Sequence, residues 1–201
     1  MPHFSLKYLC VAELALAFTC MQASTVQAND ISEYLTGEIK HLYAVQADVN
    51  VHDILLVSAF DKDGKTIERL AEKQGKVLLV TFWSKTCLQC RRHLKQLAAV
   101  QSLVGTDTLE VIAINLDGSS FKRIRRTLDD RGLSSLAAYQ DFNKNIPYRL
   151  KADPDLHFFG REPKTLVVGP SGQVRAVANT RKNWSAPESV AFLKALKSGR
   201  L

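Results

Sequence analysis

Two cysteines, Cys87 and Cys90, stand two residues apart in the run Trp83-Ser84-Lys85-Thr86-Cys87-Leu88-Gln89-Cys90-Arg91-Arg92. Joining two thiols this close restricts almost none of the unfolded chain, so the value of the pair is chemical rather than structural. A C-x-x-C fits a redox dithiol, half a zinc site, a copper(I) carrier or an inert buried pair. Its context favours redox: an apolar run of strand type precedes it and a helical pattern follows.

A cysteine at a helix N-terminus meets unpaired backbone N–H groups and the positive end of the helix dipole, and both stabilise a thiolate. Lys85, Arg91 and Arg92 add positive charge nearby. Three residues on, Cys90 shares the face of Cys87 one turn deeper. Cys87 is therefore the expected attacker on a substrate disulfide. Cys90 is the thiol that resolves the mixed disulfide and releases the reduced product.

A closed zinc site needs four ligands. Beyond Cys87 and Cys90 the chain has Cys10 and Cys20, both within the N-terminal stretch, and His41, His52, His93 and His157 show no paired ligand spacing. No metal and no cofactor is expected, and His93 reads as a helix-surface residue. Pro163 precedes the apolar run Leu166-Val167-Val168. X-Pro is where a cis peptide is cheap, and a cis bond here would present the backbone of Glu162 to an extended substrate. An ordinary trans proline at a strand start fits the same residues. Trp83, ending the strand beside the motif, reads as a lip of the active surface. Trp83, Thr86, Glu162 and Pro163 are the residues expected to frame the substrate.

The elements that position this pair follow from hydrophobic periodicity. Residues 31–45 read as a short amphipathic helix, and residues 52–59 as a strand. Asp61-Lys62-Asp63-Gly64 signals a hairpin turn into residues 65–70. Residues 77–83 form a nearly continuous β-branched and aromatic run, as expected of a buried central strand. A helix is expected over residues 87–103, a second buried strand over 109–115 and a basic amphipathic helix over 120–131, with Gly132 to end it. Residues 136–139 suggest a short strand, and residues 140–162 show no regular pattern. Residues 165–169 and 173–178 form a hairpin about Pro170-Ser171-Gly172. The last helix opens with Ser185 and Glu188 spaced as a capping box.

Residues 1–28 resemble a secretory signal: Lys7 with His3, a mostly apolar stretch from Leu9 to Met21, and Val26-Gln27-Ala28 as a small-x-small cleavage pattern. An uncleaved membrane anchor is the alternative. Cleavage would remove Cys10 and Cys20 and leave the C-x-x-C as the sole cysteines of a periplasmic chain. Residues 29–51 then form a helical extension and residues 52–201 the main domain. The 201 residues suffice for one compact domain, and 46% hydrophobic with 23% charged residues excludes intrinsic disorder. The net charge of +7 is scattered. Its densest cluster, Lys122-Arg123-Arg125-Arg126, is closed by Asp129 and Asp130 and lacks interleaved aromatics, so no nucleic acid partner is expected.

Residues 75–83 with the C-x-x-C, Asp61 to Lys65 before them, and Pro163 to Val168 with Ser171-Gly172 after them resemble the TlpA/ResA-type branch of the thioredoxin-like superfamily, over about residues 52–198. The resemblance implies an α/β thioredoxin-like fold: a central mixed β-sheet flanked by helices, with an N-terminal hairpin and helix extension. It implies Cys87 as nucleophile, Cys90 as resolving thiol and Pro163 as a cis-proline. It further implies exported enzymes acting on protein disulfides, some in cytochrome c maturation, recharged by a membrane or periplasmic thiol donor. A monomer is expected. Several positions depart from the pattern. Thr86 stands where the family usually has tryptophan, Leu88-Gln89 lacks the usual proline, and Glu162 precedes Pro163. Thr81 occupies the place of a buried acid that helps move a proton from the second thiol. A metal carrier or accessory protein on the same fold, and a disulfide oxidant or isomerase, are the rival readings.

Overall fold

The computed structural model describes residues 31–58, 66–141, 143–156 and 163–201. The expected signal segment, the turn at residues 61–64 and Glu162 lie outside them. Strands β1 (Tyr43–Ala44), β2 (Leu55–Ser58), β3 (Thr66–Arg69), β4 (Val77–Trp83), β5 (Leu109–Asn115), β6 (Tyr139–Gln140), β7 (Lys164–Val168) and β8 (Val174–Ala178) form one mixed sheet. Their order is β1-β8-β7-β4-β5-β6-β2-β3. Helices α1 (Cys90–Val104), α2 (Phe121–Asp129), α3 (Asn145–Lys151) and α4 (Pro187–Lys197) complete it.

The parallel centre is built as strand, helix, strand, helix, strand: β4 pairs with β5 and β5 with β6, each in parallel. The β7–β8 hairpin adds antiparallel strands on the other side of β4. β4 is buried along its whole length, which is why it reads as a continuous apolar run rather than an alternating one. Its period of two still shows in what each side chain packs against. Val77, Leu79 and Trp83 join Leu94 and Leu97 of α1 and Phe192 and Leu196 of α4. Leu78, Val80 and Phe82 face the opposite layer with Leu150 of α3.

The structure corrects four local expectations. Residues 31–45 are not one helix but two 3-10 turns, Ile31–Tyr34 and Gly37–Ile39, followed by β1. A left-handed Gly37, at φ 52°, interrupts the helical path. Helix α1 begins at Cys90 instead of Cys87. The pattern-free stretch after β6 contains α3, whose Pro147 sits in the first turn, where its missing N–H breaks no helical bond. Finally, Ala186 rather than Ser185 caps α4. Glu188 does not reach back to Ser185; its Oε1 accepts the Glu38 N–H at 2.8 Å and ties the N-terminal segment to α4.

Candidate active site

β4, paired on both sides, ends at Trp83, and the chain then turns into α1. The turn is held by backbone bonds, Cys87 N–H to Ser84 O at 3.4 Å and Cys90 N–H to Cys87 O at 3.2 Å. The end of β5 fixes it from the side. Asp117 Oδ2 accepts the Lys85 N–H at 2.8 Å and the Asn115 Nδ2–H at 3.1 Å. With these bonds made ahead of the helix, and Gln89 offering no side-chain cap, regular helical pairing starts at Cys90. Cys87 therefore lies in the turn just before the helix, not inside its first turn.

Cys87 and Cys90 are joined in a disulfide, with Cα atoms 5.3 Å apart. The two sulfurs sit in unlike surroundings. Cys87 is partly exposed, whereas Cys90 is only 1% exposed and belongs to the core under α1. Leu88 between them is 96% exposed and projects from the surface. Lys85, Arg91 and Arg92 are all exposed around the turn.

A cavity of about 400 Å³ opens beside the disulfide. Cys87, Cys90, Trp83 and Pro163 line it, together with Lys144 and with Tyr148 and Lys151 of α3. Trp83 was expected as a lip; it is instead sealed to 2% exposure and forms part of the cavity wall. Pro163 is buried and opens directly onto β7, which pairs with β4. Thr86 is exposed, and its Oγ1 lies 3.1 Å from Ser84 Oγ. Glu162 and its bond to Pro163 lie outside the described residues. Sequence reasoning missed the contribution of α3, since residues 140–162 carry no periodicity that points to it.

His93 is corrected from a surface residue to a buried one. It is 0% exposed and lies between α1 and the sheet. Its Nε2 is 2.8 Å from Thr165 Oγ1 on β7 and 3.2 Å from Thr81 Oγ1 on β4. Thr165 Oγ1 donates to Thr81 Oγ1 at 3.1 Å, and Thr81 Oγ1 donates to Lys164 O at 2.8 Å. Burial, with Arg181 nearby, pushes the His93 pKa down to about 4, so the ring is neutral at pH 7. A signal for this was present: His93, Leu97 and Val100 recur at i, i+4, i+7, the spacing of one buried stripe. Among the described residues no group of three or more His, Cys, Asp or Glu side chains is arranged to hold a metal ion.

This arrangement leaves one sulfur of the pair reachable and the other shielded, which suits it to thiol–disulfide exchange. Solved structures share the fold, among them the following three. A thiol:disulfide interchange protein of the thioredoxin family from Chlorobium tepidum TLS aligns at 18% identity and TM-score 0.55, covering 75% of this chain and 99% of its own. A thiol:disulfide interchange protein from Bacteroides sp. aligns at 14% identity and TM-score 0.52, covering 76% and 91%. The DsbF protein of MTB, solved in mixed oxidized and reduced forms, aligns at 14% identity and TM-score 0.52, covering 70% and 93%. The thioredoxin-like architecture expected from the motif order is thus the one observed. Residues 48–177, more than half of the chain, match the AhpC/TSA family model, and the protein belongs to the AhpC/TSA family.

Proposed function

We propose that this protein is an exported thiol–disulfide oxidoreductase that reduces disulfides in other proteins. In this reading Cys87 attacks and Cys90 resolves. The observation that carries it is the unequal burial of two bonded sulfurs beside an open cavity. A substrate disulfide reaches Cys87 and not Cys90, so the order of the two steps follows from access. Once reduced, Cys87 stands at the mouth of α1 among exposed Lys85, Arg91 and Arg92, a setting that favours its thiolate. Pro163 and Trp83 form the wall against which a substrate strand lies, and Thr86 and Glu162 flank the approach. The thiol:disulfide interchange proteins of the same fold support this chemistry. Residues 1–28 act as the export signal, the periplasm is the working compartment, and a thiol donor there or in the membrane returns the pair to its dithiol form.

Insulin reduction with a dithiol donor tests the reading. Cys87→Ser abolishes turnover, and Cys90→Ser slows it by at least tenfold. Unchanged turnover in both variants removes the reading.

A further inference from the structure

Resolution of a mixed disulfide begins with a proton. Cys90 attacks only as a thiolate, yet at 1% exposure it is largely shielded from bulk water as a proton acceptor. A buried acceptor near that sulfur would supply the missing path.

The hydrogens around His93 can be assigned from the contacts. Lys164 O is an acceptor only, so the Thr81 hydroxyl hydrogen is committed to it at 2.8 Å. The Thr165 hydroxyl then donates to Thr81 Oγ1 at 3.1 Å. With both hydroxyl hydrogens so placed, His93 Nε2 carries the hydrogen directed at Thr165 Oγ1 at 2.8 Å and Thr81 Oγ1 at 3.2 Å. In the opposite tautomer the Thr165 hydroxyl would turn from Thr81 to donate to Nε2, and the N–H on Nδ1 would be buried without an acceptor, which costs more than an unpaired lone pair. The consistent assignment places the lone pair on Nδ1. That atom is buried and has no hydrogen-bond partner among the described residues.

His93 lies three residues after Cys90 in α1, and both are buried residues of that helix. Positions i and i+3 are neighbours on a helix face, and helical side chains lean toward the N-terminus, which tilts the ring toward the turn of Cys90. We propose that the His93 imidazole, locked by Thr81 and Thr165 with Nδ1 unprotonated, accepts the Cys90 thiol proton during resolution of the mixed disulfide. This role rests on the oxidoreductase reading above. The Cys90 S–H bond breaks and its proton moves to Nδ1. The Cys90 thiolate attacks Cys87 Sγ and the Cys87–substrate S–S bond breaks. The substrate sulfur leaves with the electron pair and takes a proton from His93 or solvent. The protein pair is oxidised by two electrons and the substrate is reduced.

The surrounding charges agree with a neutral resting ring. Arg181, from the segment after β8, opposes its protonation. Lys164 on β7 directs its ammonium to Asn179 O at 3.5 Å. On α1 itself Cys90 is the buried titratable neighbour, and its thiolate would hold a proton on the ring while the step proceeds.

His93→Gln tests the role, because a glutamine amide can keep the bond to the threonines but offers no base at the Nδ1 position. Reduced protein is mixed with excess disulfide peptide, and mixed disulfide and released thiol are quantified by quenched mass spectrometry from pH 5.5 to 9.5. The expected result is that the mixed disulfide still forms, and that its resolution slows by at least tenfold at pH 6–7 with the gap closing toward pH 9.5, in line with general-base contributions of about 10²-fold or more. Equal resolution at every pH, or an equal slowing at every pH, overturns the role while leaving the oxidoreductase reading intact. Failure of the parent protein to form any mixed disulfide overturns both. Ring ¹⁵N chemical shifts in the unsubstituted protein provide a second arm that needs no variant. An Nε2-protonated ring whose Nδ1 signal moves on reduction of the disulfide supports the role; an Nδ1-protonated ring in both states overturns it.

Discussion

Thr81 and Thr165 stand directly opposite one another across the antiparallel β4–β7 pair, and their hydroxyl oxygens meet 3.1 Å apart beneath α1. Two strands thereby present hydroxyls to one imidazole from a helix. A titratable ring from α1 thus rests against the sheet at Thr81 and Thr165.

Thr165→Val keeps the shape and removes the shorter of the two contacts to His93. The ring then bonds only Thr81, at 3.2 Å. Loss of a buried hydrogen bond of this kind costs about 1–3 kcal/mol. Urea denaturation of the oxidised protein at pH 7 is expected to show that loss with an unchanged slope.

Stability depends on pH through the same ring. Its folded pKa of about 4 lies below the ordinary value of 6.5. Between those values the unfolded chain binds a proton that the folded chain refuses, so stability falls as pH drops from 6.5 to 4 and levels off below. A displacement of this size corresponds to about 3 kcal/mol. Thermal melts of the parent protein across this window are expected to show the decline, and His93→Gln is expected to remove most of it.

Reduction exposes the asymmetry of the thiols. In the reduced protein, Cys87 is expected to react with iodoacetamide at least tenfold faster than Cys90, because one sulfur borders solvent and the other is sealed under α1. Peptide mapping after brief alkylation reads the ratio directly.

The hairpin that carries β7 depends on Gly172. It adopts φ +84°, and a Cβ there would lie 1.7 Å from His52 Nε2. His52 Nε2 is also 2.8 Å from Ser171 O. Gly172→Ala forces both a left-handed alanine and displacement of the imidazole. It is expected to lower stability by about 1–2 kcal/mol, measured by denaturant midpoint, with no change in the reactivity of reduced Cys87.

Much of the scaffold was legible because it is periodic. The bounds of β4 and β5 were readable from unbroken apolar runs, and the β7–β8 hairpin from Pro170-Ser171-Gly172 between two such runs. The cysteine pair was legible from its place between a strand and a helix. What escaped depended on contacts rather than pattern. The start of α1 shifted because Asp117, about thirty residues downstream, captures the Lys85 N–H. α3 escaped because Pro147 in its first turn reads as a breaker. His93 escaped because exposed Arg91 and Arg92 precede it and Lys95 follows, masking a stripe that it shares with Leu97 and Val100. Glu188 was matched to the nearer Ser185, while its partner, the Glu38 amide, lies 150 residues away.

Mass spectrometry of protein trapped with a disulfide peptide tests the division of labour between the two sulfurs most directly. Reduced Cys90→Ser is expected to accumulate a stable adduct mapped to Cys87, and Cys87→Ser to accumulate little or none. Adducts forming equally fast on Cys90 in the Cys87→Ser protein, or on neither variant, would contradict the account.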